Sequence, residues 1–135
     1  MEAIVYSRDH KISPEQFIDI LRRSTLSERR PVNDRDRIAK MLDNGNILVT
    51  AWAGDLLVGV SRAVSDFAFC CYLSDLAVDE AYQKKGIGRK LIEETHLIAG
   101  KHTTLVLLAA PTAAHYYPKV GMDRMTDCFV IKRNS

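Results

Sequence analysis

The sequence predicts a mixed α/β fold, and three features carry that prediction. Apolar residues recur at helical spacing in two early segments. A strand pair about a tight turn follows them. Beyond it come strand, helix, strand and helix, with a glycine-bearing turn at the first strand-to-helix junction, which makes a right-handed βαβ unit. At 135 residues the chain is long enough to bury a real core, and one domain spanning 1–135 is expected.

Residues 4–6 read as a short strand. Ser13 then reads as a helix cap, with Pro14 at the first helical position and Gln16 reaching back to complete a capping box. Phe17, Ile18, Ile20 and Leu21 form the apolar stripe, and the helix ends near Ser24. A charged connection over residues 26–31 holds Glu28, Arg29 and Arg30. The second helix is capped by Asn33 or Asp34 and turns Ile38, Met41 and Leu42 inward, and Asn44-Gly45 closes it in left-handed conformation.

Residues 46–52 and 56–64 form a hairpin, in which Trp52 reads as core. Residues 67–78 continue as a strand whose near-continuous apolarity implies cover on both faces. A helix over 89–99 buries Ile87, Leu91, Ile92, Thr95 and Ile98 along its stripe, and Gly100 stops it. His96 and His102 read as packed or surface residues. Residues 103–110 read as a buried strand, and 112–117 as a short helix that Pro118 ends. A closing strand is expected over 128–132.

Composition excludes several classes. The net charge of +2, with acids interspersed among the bases, argues against a nucleic-acid binder. No apolar run approaches the roughly 20 residues that span a bilayer, so no membrane role is expected. Residues 1–4 lack the basic-then-apolar pattern of a secretory leader. Cys70, Cys71 and Cys128 lack zinc-site spacing and read as reduced thiols, so the expectation is a cytoplasmic protein without a metal.

The chemistry concentrates at Gln83-Lys84-Lys85-Gly86-Ile87-Gly88. Two glycines spaced one apart let the backbone turn tightly and approach a ligand without an intervening Cβ. The helix N-terminus that follows offers unpaired N–H groups and partial positive charge, reinforced by Lys84, Lys85, Arg89 and Lys90. Such a turn is a pyrophosphate cradle. Leu91 stands where a dinucleotide fingerprint needs its third glycine, and no Gly-Lys-Ser/Thr follows, so the Rossmann and P-loop patterns both fail.

Leu76-Ala77-Val78, then Gln83 to Gly88 and Leu91-Ile92, resembles the coenzyme A signature of the GNAT N-acetyltransferases, Q/R-x-x-G-x-G/A. His115-Tyr116-Tyr117-Pro118-Lys119-Val120-Gly121-Met122 resembles that family's second landmark, F-Y-x-K-x-G-F, with Pro118 and Met122 in place of the commoner glutamate and phenylalanine. The resemblance implies a mostly antiparallel central sheet whose one parallel strand pair splays apart, flanked by helices. It implies acetyl-CoA as co-substrate, its pantetheine arm on the backbone of Leu76, Ala77 and Val78, and its diphosphate on Gln83, Lys84, Lys85, Gly86, Ile87, Gly88, Arg89 and Lys90. The reaction implied is direct attack by a primary amine of a small molecule or peptide on the thioester. Tyr117 matches the family's general acid, with Tyr116 its neighbour and rival.

The base stays open among Asp75, Glu28 and a water chain. The family places the first two helices over the acceptor site, so Arg22, Arg23, Arg29, Arg30, Arg35 and Arg37 either select an acidic acceptor or form a solvated surface. Dimers are common in the family, which makes a homodimer an option. The rival reading is a non-catalytic acyl-CoA sensor or interaction module. An RNA-directed acetyltransferase would need a continuous basic face, and the interspersed acids argue against it.

Overall fold

The computed structural model describes residues 3–134. The elements are β1 (Ile4–Ser7), α1 (Pro14–Arg23), α2 (Arg35–Asn44), β2 (Ile47–Ala53), β3 (Leu56–Ser65), β4 (Cys70–Val78), α3 (Ile87–Ala99), β5 (Thr104–Val106) and α4 (Tyr116–Lys119). Short 3₁₀ turns at Leu26–Arg29, Glu80–Tyr82 and Pro111–Ala113 connect them. The strands lie in chain order in one sheet, antiparallel from β1 to β4, with β5 parallel to β4. This is the mixed sheet with one parallel pair that the resemblance implies.

The expected capping box forms at α1. The Ser13 backbone N–H donates to Gln16 Oε1 at 2.9 Å, and the Gln16 backbone N–H donates to Ser13 Oγ at 3.1 Å. At α2 the cap is Asp34, which accepts from the Arg37 backbone N–H at 3.1 Å. Gly45 closes α2 with φ −80°, in extended rather than left-handed conformation. Its role is steric: a Cβ there would meet Arg62 Cγ at 2.9 Å.

The sheet is covered on both faces. On one face α3 packs its Ile87 and Leu91 against Val49, Ala51, Val58 and Leu73. On the other, Phe17, Ile20 and Leu21 of α1 and Ile38 of α2 pack against Trp52, Leu57, Val60 and Ala77. Trp52 is core, as expected, and its indole N–H donates to Thr50 Oγ1 at 2.8 Å.

β4 departs from the doubly covered strand that its apolarity implies. It begins at Cys70, because the Asp66 carboxylate accepts from the backbone N–H groups of Ala68, Phe69 and Cys70 at 2.8, 2.8 and 3.1 Å and holds the preceding residues in a loop. Its residues alternate in burial instead of being covered throughout. A bulge also interrupts it: Arg62 pairs with Asp75 and Ala63 with Leu73, which leaves Ser74 without a ladder partner. The bulge changes which residues face α3. Cys71 and Leu73 do so before it, Leu76 and Val78 after it, and Ala77 turns toward α1.

Three expectations about the C-terminal third are corrected. The strand read over 103–110 is only Thr104–Val106, because residues 107–110 leave the sheet. The helix read over 112–117 is a 3₁₀ turn followed by α4, which contains Pro118 because proline is tolerated in a first turn where its missing N–H has no helical partner. Residues 128–132 do not form a strand, and Phe129 and Ile131 are fully exposed. Alternating apolar residues express a capacity to pair; here no neighbouring strand meets it.

Candidate active site

β4 and β5 part within the sheet. Their last paired residues are Tyr72 and Val106, while β4 runs on to Val78. A cavity of about 650 Å³ opens in the gap, with Leu73, Ser74, Leu76 and Val78 on one wall and Leu107, Leu108 and Ala110 on the other. The turn ahead of α3 closes one end, and residues 24–30 overhang the other. β4 is half-covered beyond its bulge because this cavity takes the place of a packed neighbour.

Of the residues expected to hold a cofactor, Leu76, Ala77, Val78, Gln83, Lys84, Gly86, Ile87, Gly88 and Arg89 line the cavity. Lys85 and Lys90 do not. The Lys85 ammonium lies 5.5 Å from the Tyr82 ring centroid, and Lys90 reaches Glu94 at 4.0 Å. Ala77 and Ile87 are buried, so among these residues they contribute backbone and core packing rather than exposed side chains.

Gly86 caps α3 with φ +82°, a conformation that favours glycine, and a Cβ there would meet nothing within 4 Å. The turn is therefore an open concavity at a helix N-terminus, flanked by Lys84 and Arg89, and its chemistry suits a phosphate. Gln83 Nε2 donates to the Val78 carbonyl at 3.1 Å, tying the turn to the end of β4.

Tyr116 and Tyr117 both line the cavity, with ring centroids 5.2 Å apart in an edge-on arrangement. The Tyr116 hydroxyl lies against the start of α3, where a Cβ on Gly88 would approach it to 2.8 Å. It belongs to the helix end. Burial raises the Tyr116 pKa above the ordinary phenol value, with the Arg89 charge opposing. Burial raises Tyr117 likewise, reinforced by Tyr116. The Tyr117 phenol is therefore protonated at neutral pH.

Asp75, one of the three options for a base, is fully buried and shared by two guanidinium groups. Arg30 Nε donates to Oδ1 and Arg62 Nε to Oδ2. Arg30 Nη2 also donates to the Ser74 carbonyl at 2.7 Å, and Arg62 Nη2 to Ser74 Oγ at 3.1 Å. The two arginines thus clasp the bulge, and Arg30 anchors the overhanging loop to it. With both oxygens engaged and the side chain away from the cavity, Asp75 is a structural carboxylate. Arg62 was missed in the sequence, although a lone cation inside an apolar strand is a signal of a buried partner.

The other early arginines sort by contact. Arg23 pairs with Asp19 and Asp79, and Arg35 pairs with Glu15. Arg22 and Arg37 are exposed and do not line the cavity. Only Arg29 and Arg30 of the six do so, beside Glu28.

Residues 43–121 match the family model described as the acetyltransferase (GNAT) domain. The chain belongs to the GNAT acetyltransferase family. Histone acetyltransferase TAP1 of Glycine max is 33% identical over 69 residues, covering 50% of this chain and 30% of that protein. The chain thus spans about a third of the curated relative it matches. A GNAT family protein from Streptococcus pneumoniae superposes with a TM-score of 0.79 at 20% identity, over 98% of both chains. Aminoglycoside N-acetyltransferase AAC(6')-Iy, in complex with CoA, superposes with a TM-score of 0.76 at 11% identity, over 100% of this chain and 97% of that one. These likenesses show that the GNAT fold extends across the chain. Among the described residues no helix is long and apolar enough to cross a membrane.

Proposed function

We propose that this protein is an N-acetyltransferase that transfers the acetyl group of acetyl-CoA to a primary amine of a small molecule or peptide by direct attack. The observation that carries this reading is the continuity of one cavity from the glycine turn, through the gap between β4 and β5, to Tyr117 and the loop over residues 24–30. Acetyl-CoA supplies an activated acyl group on a thiol, and the chain's residues do the rest.

The open turn at Gly86-Ile87-Gly88, with Gln83, Lys84 and Arg89, would hold the diphosphate on backbone N–H groups and cations, and Lys85 and Lys90 add charge from outside the cavity. The backbone of Leu76, Ala77 and Val78 would hold the pantetheine arm. A fixed N–H donor there, aimed at the oxygen that gains charge, contributes on the order of 2.7–4 kcal/mol. Tyr117 donates its proton to the departing sulfur, which general acids of this kind accelerate by roughly 10²–10⁴-fold. Glu28, which lines the cavity along with Glu80, would take a proton from the incoming ammonium, directly or through water. The three free cysteines suit a reducing compartment, and we place the protein in the cytoplasm.

The test is thiol release from acetyl-CoA with polyamines, amino acids, aminoglycosides and peptide N-termini, run beside an acetyl-CoA titration. Amine-dependent release is expected. Tight binding with no release for any amine would leave an acyl-CoA sensor instead.

A further inference from the structure

We infer that this protein pairs with a second copy of itself by exchanging a C-terminal arm, residues 128–132 of each chain adding a strand to the free edge of β5 in the other. Cys128-Phe129-Val130-Ile131 is an apolar run of strand length. Every residue from Asp123 to Asn134 is exposed, Phe129 and Ile131 by 92% and 101%. None of them makes a hydrogen bond or ion pair among the described residues. Between Met122 and Cys128 the chain takes only a bend at Thr126, so it leaves the domain instead of folding back along it.

The complementary surface is at β5. It is the last strand of the sheet, so the N–H and C=O groups on its outer side have no ladder partner. Both faces beside that edge offer apolar surface. On one, Val64, Tyr72 and Val106 stand in a cross-strand row, all three exposed. On the other, a second cavity of about 440 Å³ lies between α3 and β5, lined by Leu97, Leu105, Val120 and Met122 together with the charges of Glu93 and Lys101. An added strand sends alternate side chains to the two faces, Phe129 and Ile131 to one, Cys128 and Val130 to the other. The opposite sheet edge, β1, exposes Val5 alone.

The occupant is a second copy because arm and edge belong to one chain and lie side by side. Met122, from which the arm departs, lines the same cavity as Leu105. Two copies about a two-fold axis therefore cover both arms and both β5 edges at once, and the assembly closes at two. The exchange also braces the cavity wall of Leu107, Leu108 and Ala110, which continues from β5.

The experiment is sedimentation velocity of the full chain over a range of concentrations, with circular dichroism to follow folding. The wild-type protein should be a dimer. Phe129→Asp combined with Ile131→Asp alters side chains that touch nothing in their own domain, so this arm variant should stay folded and become a monomer. Val106→Lys, at an exposed edge position, should do the same. An equimolar mixture of the two variants should regain dimer, since one intact arm still meets one intact edge. A monomeric wild-type protein overturns the inference, as does a dimer that survives either change. A mixture that stays monomeric overturns exchange between copies. Each of these results leaves the acetyl-transfer reading standing.

Discussion

Arg62 and Asp75 face one another across β3 and β4, and their side chains are hydrogen-bonded to each other. The strand register that sets them opposite also creates the Ser74 bulge, so the ion pair and the kink are one structural feature. Arg30 completes it from the overhanging loop.

Removing the carboxylate leaves two guanidinium groups without an anion in a largely buried position. Asp75→Ala should cost about 3–5 kcal/mol, read as a lowered urea midpoint, and Arg62→Met combined with it should cost less than the sum of the two single changes. Strict additivity would show that the pair is not coupled.

Tyr117→Phe should lower kcat by roughly 10²–10⁴-fold while the acetyl-CoA dissociation constant stays essentially unchanged. Tyr116→Phe removes a hydroxyl packed against the helix start at Gly88 and should act chiefly through acetyl-CoA affinity. The opposite assignment of the two effects would move the acid to Tyr116.

The pH dependence follows from burial. An acid works in its protonated form, so its contribution is present below its folded pKa and lost as pH rises through it. Tyr117 is raised above the phenol value of about 10, so kcat should show no falling limb from this residue between about pH 7 and 9. A falling limb in that range that disappears in Tyr117→Phe would contradict the raised value.

The two glycines of the turn should separate. Gly86→Ala meets open space but must hold φ +82°, a strain of about 1–2 kcal/mol. Gly88→Ala brings a methyl to 2.8 Å from the Tyr116 hydroxyl and should displace that ring, weakening acetyl-CoA binding by about tenfold. A crystal structure of Gly88→Ala with the ring unmoved would refute the contact.

Asp66 accepts three backbone N–H bonds, led by Phe69, and its carboxyl is held well below the usual range. A depressed folded pKa stabilises above the unfolded value of about 3.9, and the benefit is lost as pH falls below it. The melting temperature of Asp66→Asn should therefore lie below wild type at pH 7, and the gap should shrink toward pH 3. A gap that does not change with pH would mean the carboxylate charge contributes nothing.

Much of the site was legible because it lies in short, contiguous segments. Gly86, Gly88 and their cations are a local device, and the run from Gln83 to Gly88 implies its conformation from its own residues. Ser13, Pro14 and Gln16 cap α1 for the same reason. Tyr117 was legible through its spacing to Lys119 and Gly121, although burial decides its proton affinity.

The sequence by itself determined the α1 capping box, the hairpin and the phosphate-shaped turn, because each depends on residues within a few positions of one another. Tertiary structure alone decided the Ser74 bulge, the sharing of Asp75 by Arg30 and Arg62, the place of Arg29 and Arg30 at the cavity among six similar arginines, and the unpaired state of residues 128–132. Those outcomes depend on which distant segment arrives alongside. A charge or a strand has no partner until the chain has closed around it, and local pattern carries no record of that neighbour.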